Sequence, residues 1–442
     1  MSLAIGHDID AANVLAPEKP ATLAESGLAV ATVQSLIVKT LHTGEASGMD
    51  LADRIALPYG ILEPMLEHLR VEMLVQVKSA AGTGTAGYRY TLTDGGRSRA
   101  LRDLEACGYV GPAPVPLGQY AAYMSALRAQ TRDVYRERVS RAFSHLVVDA
   151  DMLDQLGPAI SSGRAMFLYG PPGNGKSVMG EGIGRVLGGD IYVPHAIDVD
   201  GQIITMFDPV AHEVHANQDD SSIIRRDSDI DGRWTRIGRP VITVGGELTL
   251  EMLDLRYKEL SAFYEAPVHL KANGGVLVVD DFGRQRVPAR DLLNRWIVPL
   301  ESRVDYLNLH TGRKFQVPFD VMVVFATNLE PRSLADEAFL RRIPYKILAR
   351  NPTMDQFERI FDMNCRRHGL PFDRRIVQHL NAKIYVGRKM EMRACHPRDL
   401  IDQVVSLCKY HRRPPELTPE LLDAVCQNYF LEESLPGTTA AR

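Results

Sequence analysis

The sequence predicts an α/β protein in which helices flank a parallel β-sheet. The first observation is "FLYGPPGNGKSVMGEGIG", Phe167 to Gly184, in which an apolar run leads into a glycine-rich loop and then a helical pattern. The second and third are "GGVLVVDDFGR" and "VMVVFATN", two short apolar runs that end in polar residues. Strands that are apolar on both faces are typical of parallel sheets covered by helices on both sides. We therefore expect all three runs to belong to one central sheet.

Length and composition limit the class of protein. With 442 residues the chain favours two to four domains. No apolar run approaches the roughly 18 residues that span a bilayer, and the first residues, "MSLAIGHDIDAANV", carry acids where a secretion signal needs positive charge. The five cysteines contain no C-x-x-C pair, which argues against a zinc site or a disulfide framework. We expect a cytoplasmic protein with no membrane partner.

Proline and glycine positions and changes in periodicity divide the chain into six segments. They are a disordered tail (1–24), a first folded domain (25–110), a Pro-Gly linker (111–120), an α/β core (121–349), a C-terminal helical domain (350–432) and a second tail (433–442).

The first folded domain has three predicted helices followed by two alternating strands around "AGTGTAG". This order resembles a winged helix-turn-helix domain over residues 30–107. The helix in the recognition position carries Glu63, Glu67 and Glu72 beside Arg70, and residues 1–115 hold nine lysines and arginines against thirteen acids. Phosphate neutralisation requires clustered cations. Docking of a protein client is therefore the favoured role, and nucleic acid stays open as the alternative ligand.

The glycine-rich loop "GPPGNGKS" satisfies the phosphate-loop pattern G-x-x-x-x-G-K-[ST]. Glycines let backbone N–H groups turn toward a phosphate, and the N-terminus of the following helix adds its positive dipole end. Lys176 supplies a full positive charge, and the Ser177 hydroxyl can ligate Mg²⁺. The predicted nucleotide-binding residues are Gly170, Pro171, Pro172, Gly173, Asn174, Gly175, Lys176, Ser177 and Val178. The alternative is a glycine-rich turn between a strand and a helix that binds nothing.

A Mg²⁺-nucleotide site also needs a carboxylate at the end of a neighbouring strand. The run "GGVLVVDDFGR" offers Asp280 and Asp281 at that position. Asp280 is the predicted partner of Mg²⁺ together with Ser177, and Asp281 is the predicted water-activating carboxylate. A plain strand cap is the alternative interpretation.

With these motifs the chain resembles the AAA+ ATPase superfamily over about residues 143–428. The resemblance implies that Asn328, at the end of "VMVVFATN", orients the attacking water. For "DEAFLRRIPYKI" the resemblance implies that Arg341 and Arg342 reach the nucleotide of a neighbouring subunit. For "CHPRDLIDQVV" it implies that Arg398 couples a helical lid to the nucleotide. Each residue also has a plain alternative, as a strand cap, an exposed basic pair and a surface residue at a helix start.

The resemblance implies a homo-oligomer, with a hexamer as the expected ring, that hydrolyses ATP with Mg²⁺ to remodel a protein or protein–nucleic acid complex. One departure from the family pattern is Asp281, where a longer glutamate is usual. The Asp280–Asp281 pair also resembles the pair found in the helicase-loader and transposition-helper branch of the superfamily. A DNA-linked ATPase of that kind, and a nucleotide-dependent assembly switch with little hydrolysis, therefore remain alternatives.

Overall fold

The computed structural model describes residues 14–80, 84–130, 134–215 and 229–430. The predicted tail at 433–442, and most of the predicted tail at 1–24, lie outside these residues. Within the described segments, no helix combines the length and the apolar character needed to cross a membrane.

The N-terminal unit contains four helices of eight or more residues and a small antiparallel sheet, and three of these helices precede the hairpin, in the order that the sequence predicts. Its elements are α1 (Leu23–Ser26), α2 (Val30–His42), β1 (Ala46–Ser47), α3 (Gly48–Ile55), α4 (Tyr59–Val71), β2 (Val75–Ala80), β3 (Tyr88–Leu92) and α5 (Asp94–Ala106). Strand β3 lies between β1 and β2. Helix α3 begins at a capping box in which the Ser47 hydroxyl accepts from the Asp50 amide and the Asp50 carboxylate accepts from the Ser47 amide.

A short strand and three helices connect this unit to the central sheet. They are β4 (Val115–Pro116), α6 (Leu117–Ala129), α7 (Arg136–Ala142) and α8 (Ala150–Ser162). Strand β4, which falls in the segment predicted as a linker, pairs in parallel with a strand of the core. A glycine in the left-handed conformation, Gly163, ends α8 just before the central sheet begins.

The α/β core runs from residue 166 to 348. Its elements are β5 (Met166–Tyr169), α9 (Lys176–Leu187), β6 (Asp190–Pro194), β7 (Ala196–Val199), β8 (Gln202–Thr205), β9 (Trp234–Gly238), β10 (Val241–Val244), β11 (Arg256–Lys258), β12 (Phe263–Glu265), α10 (Val268–Lys271), β13 (Val276–Val279), α11 (Ala289–Ser302), β14 (Val304–Asn308), β15 (Lys314–Pro318), β16 (Met322–Thr327), α12 (Pro331–Leu334), α13 (Glu337–Leu340) and β17 (Tyr345–Leu348).

Five of these strands form the central parallel sheet, in the order β10-β13-β16-β5-β17. The three apolar runs in the sequence are β5, β13 and β16, so the prediction that they share one sheet is confirmed. Alternate side chains of β13 enter two separate cores, with Leu277 packed in one and Val278 in the other. Because helices cover both faces, every residue of β13 and β16 is buried.

Four strands inserted between α9 and β13, together with β4 from the predicted linker, form a second five-stranded sheet in the order β11-β12-β8-β7-β4. The N-terminal unit packs directly on this sheet, because Ala196 and Ile203 share a hydrophobic core with that unit. Two antiparallel pairs, β6 with β9 and β14 with β15, complete the core.

The C-terminal unit is helical. Its elements are α14 (Met354–Arg367), α15 (Arg374–Leu380), a π-helical turn (Asn381–Val386), α16 (His396–Tyr410) and α17 (Pro419–Tyr429). Helix α14 begins at a capping box between Thr353 and Gln356. A core of its own, which includes Phe357, Phe361 and Leu400, holds the unit together.

Candidate functional site

The carboxyl ends of the central strands meet at one edge of the sheet, where ligands bind in open α/β folds. The glycine-rich loop follows β5 at this edge, and Asp280 and Asn328 follow β13 and β16. The polar residues that the sequence placed at three strand ends are therefore neighbours in space.

The glycine-rich loop requires glycine at several positions. Gly170, Gly173 and Gly175 have φ angles of +133°, +80° and +74°, which side chains disfavour. A Cβ atom on Gly170 would also lie 2.5 Å from the carbonyl oxygen of Ala349. The loop ends where α9 begins at Lys176, so the helix N-terminus faces the loop.

Lys176 is buried, and its ammonium group makes three hydrogen bonds. It donates to the carbonyl oxygens of Gly170 at 3.0 Å and Pro171 at 2.9 Å, and to Oδ1 of Asn328 at 2.7 Å. Burial lowers the pKa of Lys176, an effect that Asp280 and Asp281 oppose and Arg393 adds to. Lys176 and Asn328 therefore belong to one site.

Ser177 and Asp280 form the second contact of the site. The Ser177 hydroxyl donates to Oδ2 of Asp280 at 2.6 Å, while Oδ1 of Asp280 accepts from the Asp281 amide at 2.9 Å. A hydroxyl beside a carboxylate is an oxygen set that suits Mg²⁺, which keeps several water and phosphate ligands of its own. Nowhere in the described residues do three or more His, Cys, Asp or Glu side chains cluster as a self-sufficient metal site. The pair thus fits a cation that arrives with a phosphate ligand.

Asp281 lies beside Asn328, whose amide donates to Oδ1 of Asp281 at 3.3 Å. The backbone of Asp281 is in the left-handed region, with φ of +46°. Gln285, which the sequence analysis did not single out, holds this turn: its amide donates to the Asp280 carbonyl at 3.1 Å and its oxygen accepts from Gly283 at 2.8 Å. A glutamine five residues past Asp280 carries no recognisable motif, so only the fold identifies it.

The arginine pair lies after α13 and is engaged differently at its two positions. Arg342 donates to Glu301 at 3.0 Å and to the Ala338 carbonyl at 2.9 Å. Arg341 is exposed, and within the described part of the chain no salt bridge or side-chain hydrogen bond holds its guanidinium. Neither side chain has a hydrogen bond or ion pair to the glycine-rich loop of its own chain.

The C-terminal unit contacts the loop through Asn174. The Asn174 amide donates to Oδ1 of Asn351 at 2.8 Å, and its oxygen accepts from the Ala394 amide at 3.2 Å. The Cys395 amide also donates to the Gly173 carbonyl at 2.9 Å. Asn174 matches an unspecified position of the motif, so no sequence pattern predicts that it joins the loop to the C-terminal unit.

Arg398 lies in the first turn of α16, and its side chain pairs with the adjacent Asp399. Its guanidinium donates to Oδ1 of Asp399 at 2.9 Å, and its side chain is 55% exposed. The other oxygen of Asp399 accepts from the Tyr429 hydroxyl at 2.8 Å. The predicted loop residues Pro172 and Val178 are exposed. The structure therefore brings together Lys176 and its polar partners, and leaves the three arginines outside that cluster.

Comparisons with known proteins give distant matches. A family model described as a domain of unknown function, DUF8689, matches residues 353–428. No curated protein matches the sequence.

Solved structures that align with part of this chain include NtrX from Brucella abortus, at 12% identity and a TM-score of 0.39 over 65% of this chain and 57% of that chain. NtrX in complex with ATP aligns at 14% identity and a TM-score of 0.39 over 77% of this chain and 67% of that chain. The RuvB Holliday junction branch migration motor from Thermotoga maritima aligns at 11% identity and a TM-score of 0.34 over 67% and 70%. This chain therefore covers less than two thirds of the first NtrX structure.

Proposed function

We propose that the chain is a Mg²⁺-dependent ATPase of the AAA+ type that remodels a protein or protein–nucleic acid complex. One observation carries the proposal: Lys176, Ser177, Asp280, Asp281 and Asn328 meet in a continuous set of hydrogen bonds beside a glycine-rich loop at a helix N-terminus. Such a set supplies what phosphoryl transfer needs, which is positioning and charge stabilisation around the transferred group.

Each residue has a proposed part. The loop amides bind the phosphates of ATP, and Lys176 exchanges its carbonyl partners for phosphate oxygens. Ser177 and Asp280 hold Mg²⁺, which would neutralise negative charge on the phosphates. Asp281 accepts a proton from the attacking water, and Asn328 orients that water.

We assign the contribution from a neighbouring subunit to Arg341, because its guanidinium is exposed and has no partner within the described residues. Arg342 supports the segment from within its own chain through Glu301. An arginine supplied by another copy makes the active site depend on a homo-oligomer, for which we propose a hexameric ring. Such an arginine contributes on the order of 10³ to 10⁵ in rate.

The two flanking units have separate proposed roles. Residues 350–432 act as a lid, in which Arg398 leaves Asp399 to contact the nucleotide. The contacts of Asn174 with this lid transmit the movement of the lid to the glycine-rich loop. Residues 25–110 act as a winged-helix domain that docks a protein client. Cations of its hairpin and of α4 are already paired, Lys78 and Arg89 with Glu45 and Arg70 with Glu67. Docking of a protein is therefore favoured over contact with a duplex, which needs free cations.

Mixing two inactive variants tests the proposal. Lys176→Ala should abolish ATP binding, and Arg341→Ala should leave ATP binding intact while removing turnover. If the reaction centre is shared between subunits, a mixture of the two should recover part of the parent's phosphate release, because some interfaces combine an intact loop with an intact arginine. Arg342→Ala should retain more activity than Arg341→Ala.

Two results would overturn the proposal. One is hydrolysis by Lys176→Ala at the parental rate. The other is turnover by Arg341→Ala equal to that of Arg332→Ala, a matched exposed arginine on α12.

A nucleotide-dependent assembly switch is the second candidate, favoured by the short carboxylate of Asp281 at φ of +46°. A switch would form rings with ATP and release no phosphate in the same assay.

A further inference from the structure

A second cavity lies at the opposite edge of the central sheet from the candidate ATP site. Its volume is about 450 Å³, and it is lined by the segments that precede β13 and β16 together with the ends of α6, α8 and α9. Ligand cavities for small molecules are typically of about 300 to 1,000 Å³. The cavity is therefore large enough for a small ligand and distinct from the glycine-rich loop.

Arginines dominate the charge of this cavity. Among the described residues that line it, Arg128, Arg239 and Arg303 are the cations and Asp320 is the acid. Arg164 is close enough to Arg303 to influence it electrostatically. Positive charge thus exceeds negative charge among the described residues of the cavity wall.

Two of the arginines are fixed by backbone carbonyls that carry no net charge. Arg303 donates to the Gly163 carbonyl at 2.7 Å, and Arg239 donates to the carbonyls of Gly188, at 2.9 Å, and Gly274. These bonds orient the guanidinium groups, and neither Arg239 nor Arg303 forms a salt bridge with a carboxylate in the part of the chain that the structure describes. Fixed guanidinium groups recognise phosphate and carboxylate oxygens with two parallel hydrogen bonds.

Asp320 compensates this charge only in part. Its side chain is 12% exposed, and its nearest cation is Arg128, at 3.6 Å between Nη1 and Oδ1. Burial raises the pKa of Asp320, against the opposing influence of Arg128 and Arg303. Burial lowers the pKa of Arg303, the cations crowded near it, Arg128 and Arg164, add to the shift, and Asp320 opposes it. An added anion would relieve that crowding.

We propose that this cavity binds a small anion that carries at least two phosphate or carboxylate groups. Arg128, Arg239 and Arg303 bind its charged groups, and Met124, Leu127 and Ile160 form an apolar wall beside them. The site is independent of the proposed ATPase reaction, since none of these residues belongs to the glycine-rich loop.

Calorimetric titration of the full-length chain with pyrophosphate tests the site. The titration uses Lys176→Ala, in which the glycine-rich loop lacks its lysine. Pyrophosphate should bind, and the additional substitution Arg128→Gln should weaken binding at least about tenfold, as expected for loss of a charged bidentate contact. Asp320→Asn should tighten binding several-fold, because it removes the acid that competes with the ligand.

Arg128 is the appropriate position because its side chain is 58% exposed and pairs with Asp320 at the surface of the cavity, so its replacement should not disturb folding. Arg366→Gln is the matched control, an exposed arginine that pairs with Asp362 on α14. In the chain with Lys176 intact, Arg128→Gln should leave ATP affinity unchanged, which separates this site from the ATPase proposal.

The inference fails if neither pyrophosphate nor citrate binds, or if Arg128→Gln and Asp320→Asn change binding no more than Arg366→Gln. Binding of an acidic peptide in place of both small anions would also overturn it.

Discussion

At the scale of single residues, the backbone of Asp281 explains why an aspartate follows Asp280. A φ of +46° is a left-handed conformation, which Asp and Asn adopt more readily than longer side chains. The Asn328 amide holds the carboxylate 3.3 Å away, at the end of the neighbouring strand. The short side chain therefore suits the turn that the fold imposes at this point.

We predict that Asp281→Asn retains ATP binding and lowers phosphate release by at least about 10²-fold, because the amide cannot accept the proton from water. Asp281→Glu should lower the free energy of unfolding by about 1 kcal/mol through strain in the left-handed region. Nucleotide titration, phosphate release and urea unfolding measure the three quantities. Parental turnover by Asp281→Asn would remove this residue from the proposed reaction.

At the scale of elements, α16 begins with a buried histidine. His396 is 6% exposed, and its Nδ1 lies 2.9 Å from the Tyr385 hydroxyl. Burial lowers the pKa of His396 to about 4, and the nearby Arg393 adds to the shift. The helix start that contacts the glycine-rich loop is thus built around an uncharged imidazole.

This histidine should make the stability of the C-terminal unit depend on pH. The unfolded chain takes up the proton near pH 6.5, but the folded chain does so only near pH 4. The stabilisation is therefore complete above pH 6.5 and is lost as pH falls from 6.5 toward 4. Between pH 7.5 and pH 5 the parent should lose about 2 kcal/mol more than His396→Gln in urea unfolding. Equal losses in the two proteins would show that His396 is not the group responsible.

At the scale of the whole molecule, a buried arginine joins the N-terminal unit to the core. Arg233 is 2% exposed and pairs with Asp231 at 2.8 Å. It also donates to the carbonyls of Ser26 at 3.0 Å and Pro114 at 3.5 Å. The N-terminal unit is therefore fixed to the segment that precedes β9 as well as connected through residues 111–116.

Arg233→Met should lower the free energy of unfolding by about 3 to 5 kcal/mol, because it leaves Asp231 charged and buried without its partner. Adding Asp231→Asn should recover part of that loss. The exposed substitution Arg97→Met on α5 is the control and should change stability by no more than about 0.5 kcal/mol. An effect of Arg233→Met as small as that of Arg97→Met would show that the buried pair does not join the units.

The sequence by itself determined the phosphate-loop motif and the strands that end at Asp280 and Asn328. Those features are local: strand periodicity, glycines at positive φ and polar residues at strand ends are all encoded within a few neighbouring residues. Only the tertiary structure decided the contacts of Asn174 with the C-terminal unit, of Gln285 with its turn and of Arg233 with the N-terminal unit. These pairings join residues whose partners depend on how the chain packs, and no spacing in the sequence records that.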